Sequence, residues 1–310
     1  MKNNKIYLHI GYPKTATTFF QEKVFSELEG VYYLGKRNNK ESDIYSKFYQ
    51  FIFNEKNEYK KIISEFLKEK LEFQNILISE EDFLFNSLRF NQYSDSIDYR
   101  ISLKRFFDLV NSEKDKCKLL VTTRDVSELV KSIYGQSFYN YFSTIENIKD
   151  FEGFKTNFLF NNSRVDQNRN NFLNALNSDQ VENTLIDFFG VENILKCNYK
   201  ELLLNRSVYF SQYFSDQIYS QNKLLLGGES IDNMKINSRS NSDHTRYSTN
   251  EGILYNRLLL IKQKYFPAFR MKFSFFKKLL KQIRFNSQKE LKLEMNNDEV
   301  NLLTKLLNEA

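Results

Sequence analysis

Lys14 stands in a short polar loop, Gly11-Tyr12-Pro13-Lys14-Thr15-Ala16-Thr17-Thr18, directly after an apolar run and directly before a helix pattern. Helix-entrance N–H groups, hydroxyls and a lysine charge are the groups that hold a phosphate. Arg124 closes a second apolar run, and Ser132 follows eight residues later. A guanidinium fork suits two phosphate oxygens, and a serine hydroxyl adds one more hydrogen bond. Taken alone, that spacing reads equally well as a capped surface helix. Glu80 and Glu81 follow a third apolar run, residues 75–79. A carboxylate there can take a proton from a hydroxyl, or simply cap the next helix or face water.

The loop does not carry the pattern of an ordinary ATP or GTP site. A Walker loop beginning at Gly11 needs glycine at position 16 and lysine at 17, and the chain has Ala16 and Thr17. Its lysine lies inside the loop instead of at the helix entrance.

The order Pro13-Lys14-Thr15-Ala16-Thr17-Thr18 after the first strand resembles the 5′-phosphosulfate loop of sulfotransferases that use 3′-phosphoadenosine 5′-phosphosulfate (PAPS). Arg124 and Ser132 have the spacing of that family's 3′-phosphate site. The resemblance implies an α/β, P-loop-like three-layer fold and transfer of a sulfuryl group to a hydroxyl. It implies that Lys14 contacts the 5′-phosphate and the bridging oxygen, with Thr15, Thr17 and Thr18 holding the phosphate. Ala16 departs from the glycine common there. Ser79-Glu80 best matches the family's Ser-Glu pair, so Glu80 is the expected base and Glu81 the close second. No metal is expected, because side chains supply the positive charge.

The same resemblance, in its bacterial glycan-modifying branch, implies a carbohydrate or glycolipid hydroxyl as acceptor. Residues 186–203 look like the family's late helix–strand segment, with Tyr199-Lys200 where Tyr-Glu is frequent. The polar stretch 235–246 stands where a nucleotide-covering loop is expected, with Lys235 or Arg239 within it. Two other readings share this architecture. One is a nucleotide kinase or hydrolase, which needs Mg²⁺ and a Walker lysine; the other is a non-catalytic nucleotide- or glycan-binding protein.

Positioning these groups requires strands at 5–11, 75–79, 117–123 and 193–198, with a shorter one at 31–34. Helical patterns alternate with them: from Thr17 or Thr18 to Gly30, about 43–71, about 97–111, one capped by Asp125, and one ending at 187–190. Strands alternating with helices predict a mainly parallel central sheet covered on both faces. Residues 138–175 are aromatic and Asn-rich without a clear period, and 228–250 form a polar loop. The predicted domains are an α/β body over 1–250 and a basic helical C-terminal extension over 251–310.

At 310 residues the chain can bury one large core. Cys117 and Cys197 read as buried reduced thiols, and His9 and His244 lie too far apart in sequence for an obvious metal site. No signal-peptide pattern and no apolar run of spanning length occur, so a cytoplasmic location is expected. Net charge is +6, yet no acidic residue falls between Glu251 and Glu290, where ten Lys and Arg occur. Within it, residues 264–285 interleave Phe, Leu and Ile with seven basic side chains. That pattern suits either a helix docked on the domain or contact with an anionic membrane surface. No nucleic-acid motif accompanies it.

Overall fold

Short runs rich in Ile, Leu, Val and Tyr pair into one parallel sheet. The computed structural model describes residues 4–13, 15–36, 42–88, 97–137, 141–142, 146–164, 166–227 and 293–309. Among them the strands are β1 (Ile6–Gly11), β2 (Val31–Gly35), β3 (Asn75–Ser79), β4 (Cys117–Thr123) and β5 (Ile194–Asn198), in the order β2-β3-β1-β4-β5. Every pairing is parallel. Central β1 is buried along its whole length, as a strand covered on both faces must be.

The chain leaves β1 toward β2 and later leaves β4 toward β5, in opposite directions across the sheet. The crevice between the carboxyl ends of two such strands is where open α/β sheets bind ligands. Gly11 pairs with Thr122 at that edge, so the loop after β1 and the residue after β4 start side by side.

The chain folds as an α/β protein with helices on both sheet faces. Helices follow as α1 (Thr17–Lys23), α2 (Ser42–Asn54), α3 (Lys60–Phe73), α4 (Asp82–Leu88), α5 (Tyr99–Val110), α6 (Val126–Ser137) and α7 (Phe151–Phe154). Next come α8 (Gln167–Leu176), α9 (Ser178–Phe189), α10 (Tyr199–Leu204), α11 (Arg206–Tyr213), α12 (Asp216–Gln221), α13 (Lys223–Gly227) and α14 (Asn297–Glu309). On one sheet face Tyr7, Tyr33, Leu77, Leu120 and Cys197 pack with Phe20 of α1, Phe25 just after it, and Leu202, Phe210 and Phe214 from α10 through the turn after α11. The alternate residues Leu8, Ile10, Ile78, Leu119 and Val121 are fully buried on the other face. Helices α3, α4 and α9 touch the strands as well. Both cysteines are buried and reduced.

Two predicted helices are shorter than their hydrophobic periods suggest. The first ends at Lys23 because Val24 leaves helical geometry (φ −122°, ψ −62°), and a separate 3₁₀ turn covers Phe25–Glu27. The stretch predicted over 43–71 divides at Glu55, whose φ of 59° ends α2 before a 3₁₀ turn over Asn57–Tyr59 leads into α3. Asp125 caps α6 as expected, its carboxylate accepting the Glu128 N–H at 2.9 Å.

The chain divides into two compact units. The first takes residues 1–88, 97–129 and 171–237 and holds the whole sheet. The second takes 89–96, 130–170 and 238–310. Within it Tyr134, Phe142, Phe151, Phe154 and Phe158 form one aromatic cluster, with Phe142 and Phe154 centroids 4.7 Å apart. A π-helical turn over Lys155–Leu159 has its carbonyls closed by Arg169, which donates to Phe158 O at 2.7 Å and Leu159 O at 2.9 Å. Lys155 pairs with Glu152 and with Glu299 of α14. This is the unit's answer to the aromatic stretch that has no sequence period. Most of the predicted extension, including 264–285, lies outside the described residues, as do Lys235 and Arg239 of the polar stretch 235–246.

Tyr7 ties β1 to the segment after α11: its ring lies 5.0 Å from that of Phe214, and its hydroxyl accepts the Ser215 N–H at 3.0 Å. Tyr7→Phe leaves that N–H without its acceptor and is expected to destabilise the protein by about 1–3 kcal/mol. Urea denaturation checks this, and an unchanged midpoint contradicts it.

Candidate functional site

At the end of β1 three hydroxyls crowd over one glycine. A Cβ built on Gly11 would lie 2.4 Å from Thr17 Oγ1, 2.9 Å from Thr122 Oγ1 and 3.0 Å from Thr15 Oγ1. No side chain fits there, so glycine is required by close approach. Thr15 donates to the Tyr12 carbonyl at 2.6 Å and stands 3.1 Å from Thr122 Oγ1 and 3.3 Å from Thr17 Oγ1. Pro13, Thr15 and Thr17 are buried, while Thr18 is exposed. Ala16 holds φ 59°, the left-handed region that favours glycine, and no described side chain caps α1. Lys14 lies outside the described residues.

The hydroxyl cluster continues inward through His9. Its ring nitrogens face Thr122 Oγ1 at 3.3 Å and Ser79 Oγ at 2.8 Å, and Gln21 donates to the Ser79 carbonyl at 3.1 Å. Burial pushes the His9 imidazole down to about 3, so it is neutral at physiological pH. A neutral imidazole has one donor and one acceptor nitrogen, which matches two hydroxyl neighbours. His9 therefore orders the edge and holds no charge there.

Glu80 sits at the carboxyl end of β3, with no exposed surface. Its Oε1 accepts the Asp82 N–H at 3.0 Å, and its Oε2 accepts the Tyr45 hydroxyl of α2. One helical turn on, Tyr49 donates to Asp82 Oδ2 at 2.8 Å, and Lys36 lies 3.6 Å from the same oxygen. Asp82 Oδ1 is buried without a hydrogen-bond partner among the described residues. Burial, and then the nearby Asp82 charge, push Glu80 up to about 7. Burial alone would lower Lys36, but the carboxylates of Asp82, Glu80 and Glu81 outweigh it and raise it. Glu81 is half-buried.

A second cluster forms where β4 and β5 end. Arg124 Nε lies 3.3 Å from Glu128 Oε2, and its guanidinium sits 5.5 Å from the Tyr199 ring centroid. Lys200 reaches the other oxygen of Glu128 at 2.9 Å. Ser132 follows along α6, half-buried, among residues of the second unit.

The first unit thus brings Thr15, Thr17, Glu80 and Arg124 to the carboxyl edges of neighbouring strands β3, β1 and β4. Sequence reasoning missed Thr122, Tyr45, Tyr49, Lys36, Asp82, Glu128 and Lys200. The Tyr45–Tyr49 spacing at one helical turn was visible, but nothing in the chain says that α2 faces the end of β3. Among the described residues, no group of three or more His, Cys, Asp or Glu could hold a metal ion, and no helix is long and apolar enough to cross a membrane.

No family model and no curated protein matches the chain. Among solved structures, a sulfotransferase from Alicyclobacillus acidocaldarius is similar with a TM-score of 0.37 and 11% identity, over 71% of this chain and 79% of that one. A likeness that slight carries no functional argument.

Glu80 also sets a pH dependence. Its folded value lies near 7, above the ordinary 4.5 of a glutamate, so the native state binds more protons than the unfolded state between those values. Stability contributed by this site is therefore greatest below about pH 4.5, declines as pH rises, and is lost above about 7. Replacing Glu80 with Gln removes that decline. The wild-type minus Glu80→Gln stability difference should fall by up to roughly 3 kcal/mol between pH 4.5 and pH 8, as read by urea melts. A pH-independent difference contradicts the assignment.

Proposed function

We propose that this protein is a sulfotransferase that binds PAPS at the carboxyl edges of β1 and β4 and passes its sulfuryl group to a hydroxyl. The observation that carries this reading is the pairing of Gly11 with Thr122. It makes the loop after β1 and Arg124 after β4 neighbours, as one nucleotide bearing two phosphate ends requires. The loop's resemblance to a 5′-phosphosulfate site supports the same donor, and the absence of a Walker lysine speaks against ATP.

In this reading Lys14 and the hydroxyls of Thr15, Thr17 and Thr18 hold the 5′-phosphosulfate, with Pro13 and Ala16 shaping the turn. Arg124 takes the 3′-phosphate. The acceptor oxygen forms a bond to sulfur while the bridging S–O bond breaks, and that electron pair leaves with the 5′-phosphate. Lys14 offsets the charge growing on the departing oxygen. Glu80 takes the acceptor's proton. A carboxyl poised near 7 suits a general base at neutral pH. Glu80 has no exposed surface, so the Tyr45 hydroxyl bonded to its carboxylate must give way for the acceptor to reach it. The partly exposed Lys36 and the tyrosines Tyr45 and Tyr49 surround this end of the site, a polar and aromatic lining that fits a sugar hydroxyl. A carbohydrate of a surface glycan or glycolipid is the acceptor we favour.

Thermal shift with adenosine 3′,5′-bisphosphate, adenosine 5′-phosphate and ATP–Mg²⁺ tests the donor. The bisphosphate should stabilise the protein most, and Arg124→Ala should remove that preference. Greatest stabilisation by ATP–Mg²⁺ defeats the proposal. With a sulfated product assayed, Lys14→Ala should abolish transfer without unfolding the protein. Glu80→Gln should lower turnover by roughly 10²–10⁴ with donor binding kept. Full turnover in Glu80→Gln would move the base elsewhere.

A further inference from the structure

The donor reading assigns Arg124 to the 3′-phosphate, yet in the protein alone that arginine already pairs with a carboxylate. Glu128 uses both of its oxygens: Oε2 lies 3.3 Å from Arg124 Nε, and Oε1 lies 2.9 Å from Lys200 Nζ. Two cations from the ends of neighbouring strands converge on one anion. The convergence is built into the fold. Thr123 of β4 pairs with Asn198 of β5, so Arg124 and the Tyr199-Lys200 step leave the sheet side by side. Asn198 accepts the Lys200 N–H at 2.9 Å and fixes the start of α10. Asp125 does the same for Glu128 on α6 at 2.9 Å. Tyr199 lies against the guanidinium and limits where it can turn.

Resting on the donor reading, we propose that Lys200 is a second cation of the 3′-phosphate seat and that Glu128 occupies that seat until the nucleotide arrives. A carboxylate held between two cations marks where a phosphate can be held between them. A phosphate monoester brings up to two charges and three terminal oxygens, so it satisfies both cations more fully than one carboxylate does. Glu128 must then turn away. Its side chain is 37% exposed, so water can receive it. Burial would raise the Glu128 carboxyl, but the Lys200 bond and charge together with Arg124 lower it, so it is ionised at neutral pH and competes as an anion. The seat therefore selects for charge at the 3′ position twice. Two cations attract the phosphate, and the internal carboxylate is displaced only by a stronger anion.

Calorimetric titration of the full chain with adenosine 3′,5′-bisphosphate and with adenosine 5′-phosphate tests this. Lys200→Ala should weaken the bisphosphate roughly tenfold, the scale of one charge-assisted hydrogen bond, while changing the monophosphate less than about twofold. Lys200→Arg should restore most of the affinity. Glu128→Gln should tighten the bisphosphate by roughly threefold or more, because a neutral amide competes less well. Equal losses for both nucleotides in Lys200→Ala, or no loss, would overturn the second cation. Unchanged or weaker bisphosphate binding in Glu128→Gln would overturn the displaced carboxylate. If the wild-type protein does not distinguish the two nucleotides, the donor reading itself fails, a pattern distinct from either of these.

Discussion

The pairing of β1 with β4 decides where everything else in the site can stand. It sets Gly11 opposite Thr122 and lets the Thr15, Thr17 and Thr122 hydroxyls meet over a Cα that has no room for a methyl group. A larger residue at position 11 would push the turn out of the sheet edge and separate the loop from the end of β4. From that one contact the polar chain runs through His9 to Ser79 and joins β4, β1 and β3 across the sheet. The loop after β1, the arginine and the glutamate are thereby held on one sheet edge, the condition for precise positioning.

The end of β3 carries the opposite kind of constraint. Glu80 and Asp82 are buried two residues apart, and taking two carboxylates out of water is costly unless donors meet them. Tyr45, Tyr49, Lys36 and one backbone N–H supply those donors, yet Asp82 Oδ1 is left without one among the described residues. The protein holds this arrangement at the sheet edge where ligands of such folds bind. Strain or unsatisfied polarity retained at such an edge is more readily explained by chemistry than by packing.

Much of the frame was legible in the chain. Apolar runs bounded by polar turns announced the strands, and their alternation with helical periods announced a parallel sheet. Asp125 before a helical period announced its cap. Legibility ended where contacts join segments distant in sequence. Tyr45 reaches Glu80 across 35 residues, and Lys200 reaches Glu128 across 72. No local period encodes such meetings. The division of the 43–71 stretch at Glu55 was hidden for another reason: a positive φ at a non-glycine residue leaves no compositional mark. The second unit's aromatic cluster follows neither a strand nor a regular helix period, because part of it is built on a π turn closed by Arg169.

A crystal structure with adenosine 3′,5′-bisphosphate bound tests the central claim most directly. The 5′-phosphate is expected over the turn of residues 11–18, beside Lys14, and the 3′-phosphate on the Arg124 guanidinium. A nucleotide seated elsewhere, or one whose 3′-phosphate points into solvent away from Arg124, would contradict it.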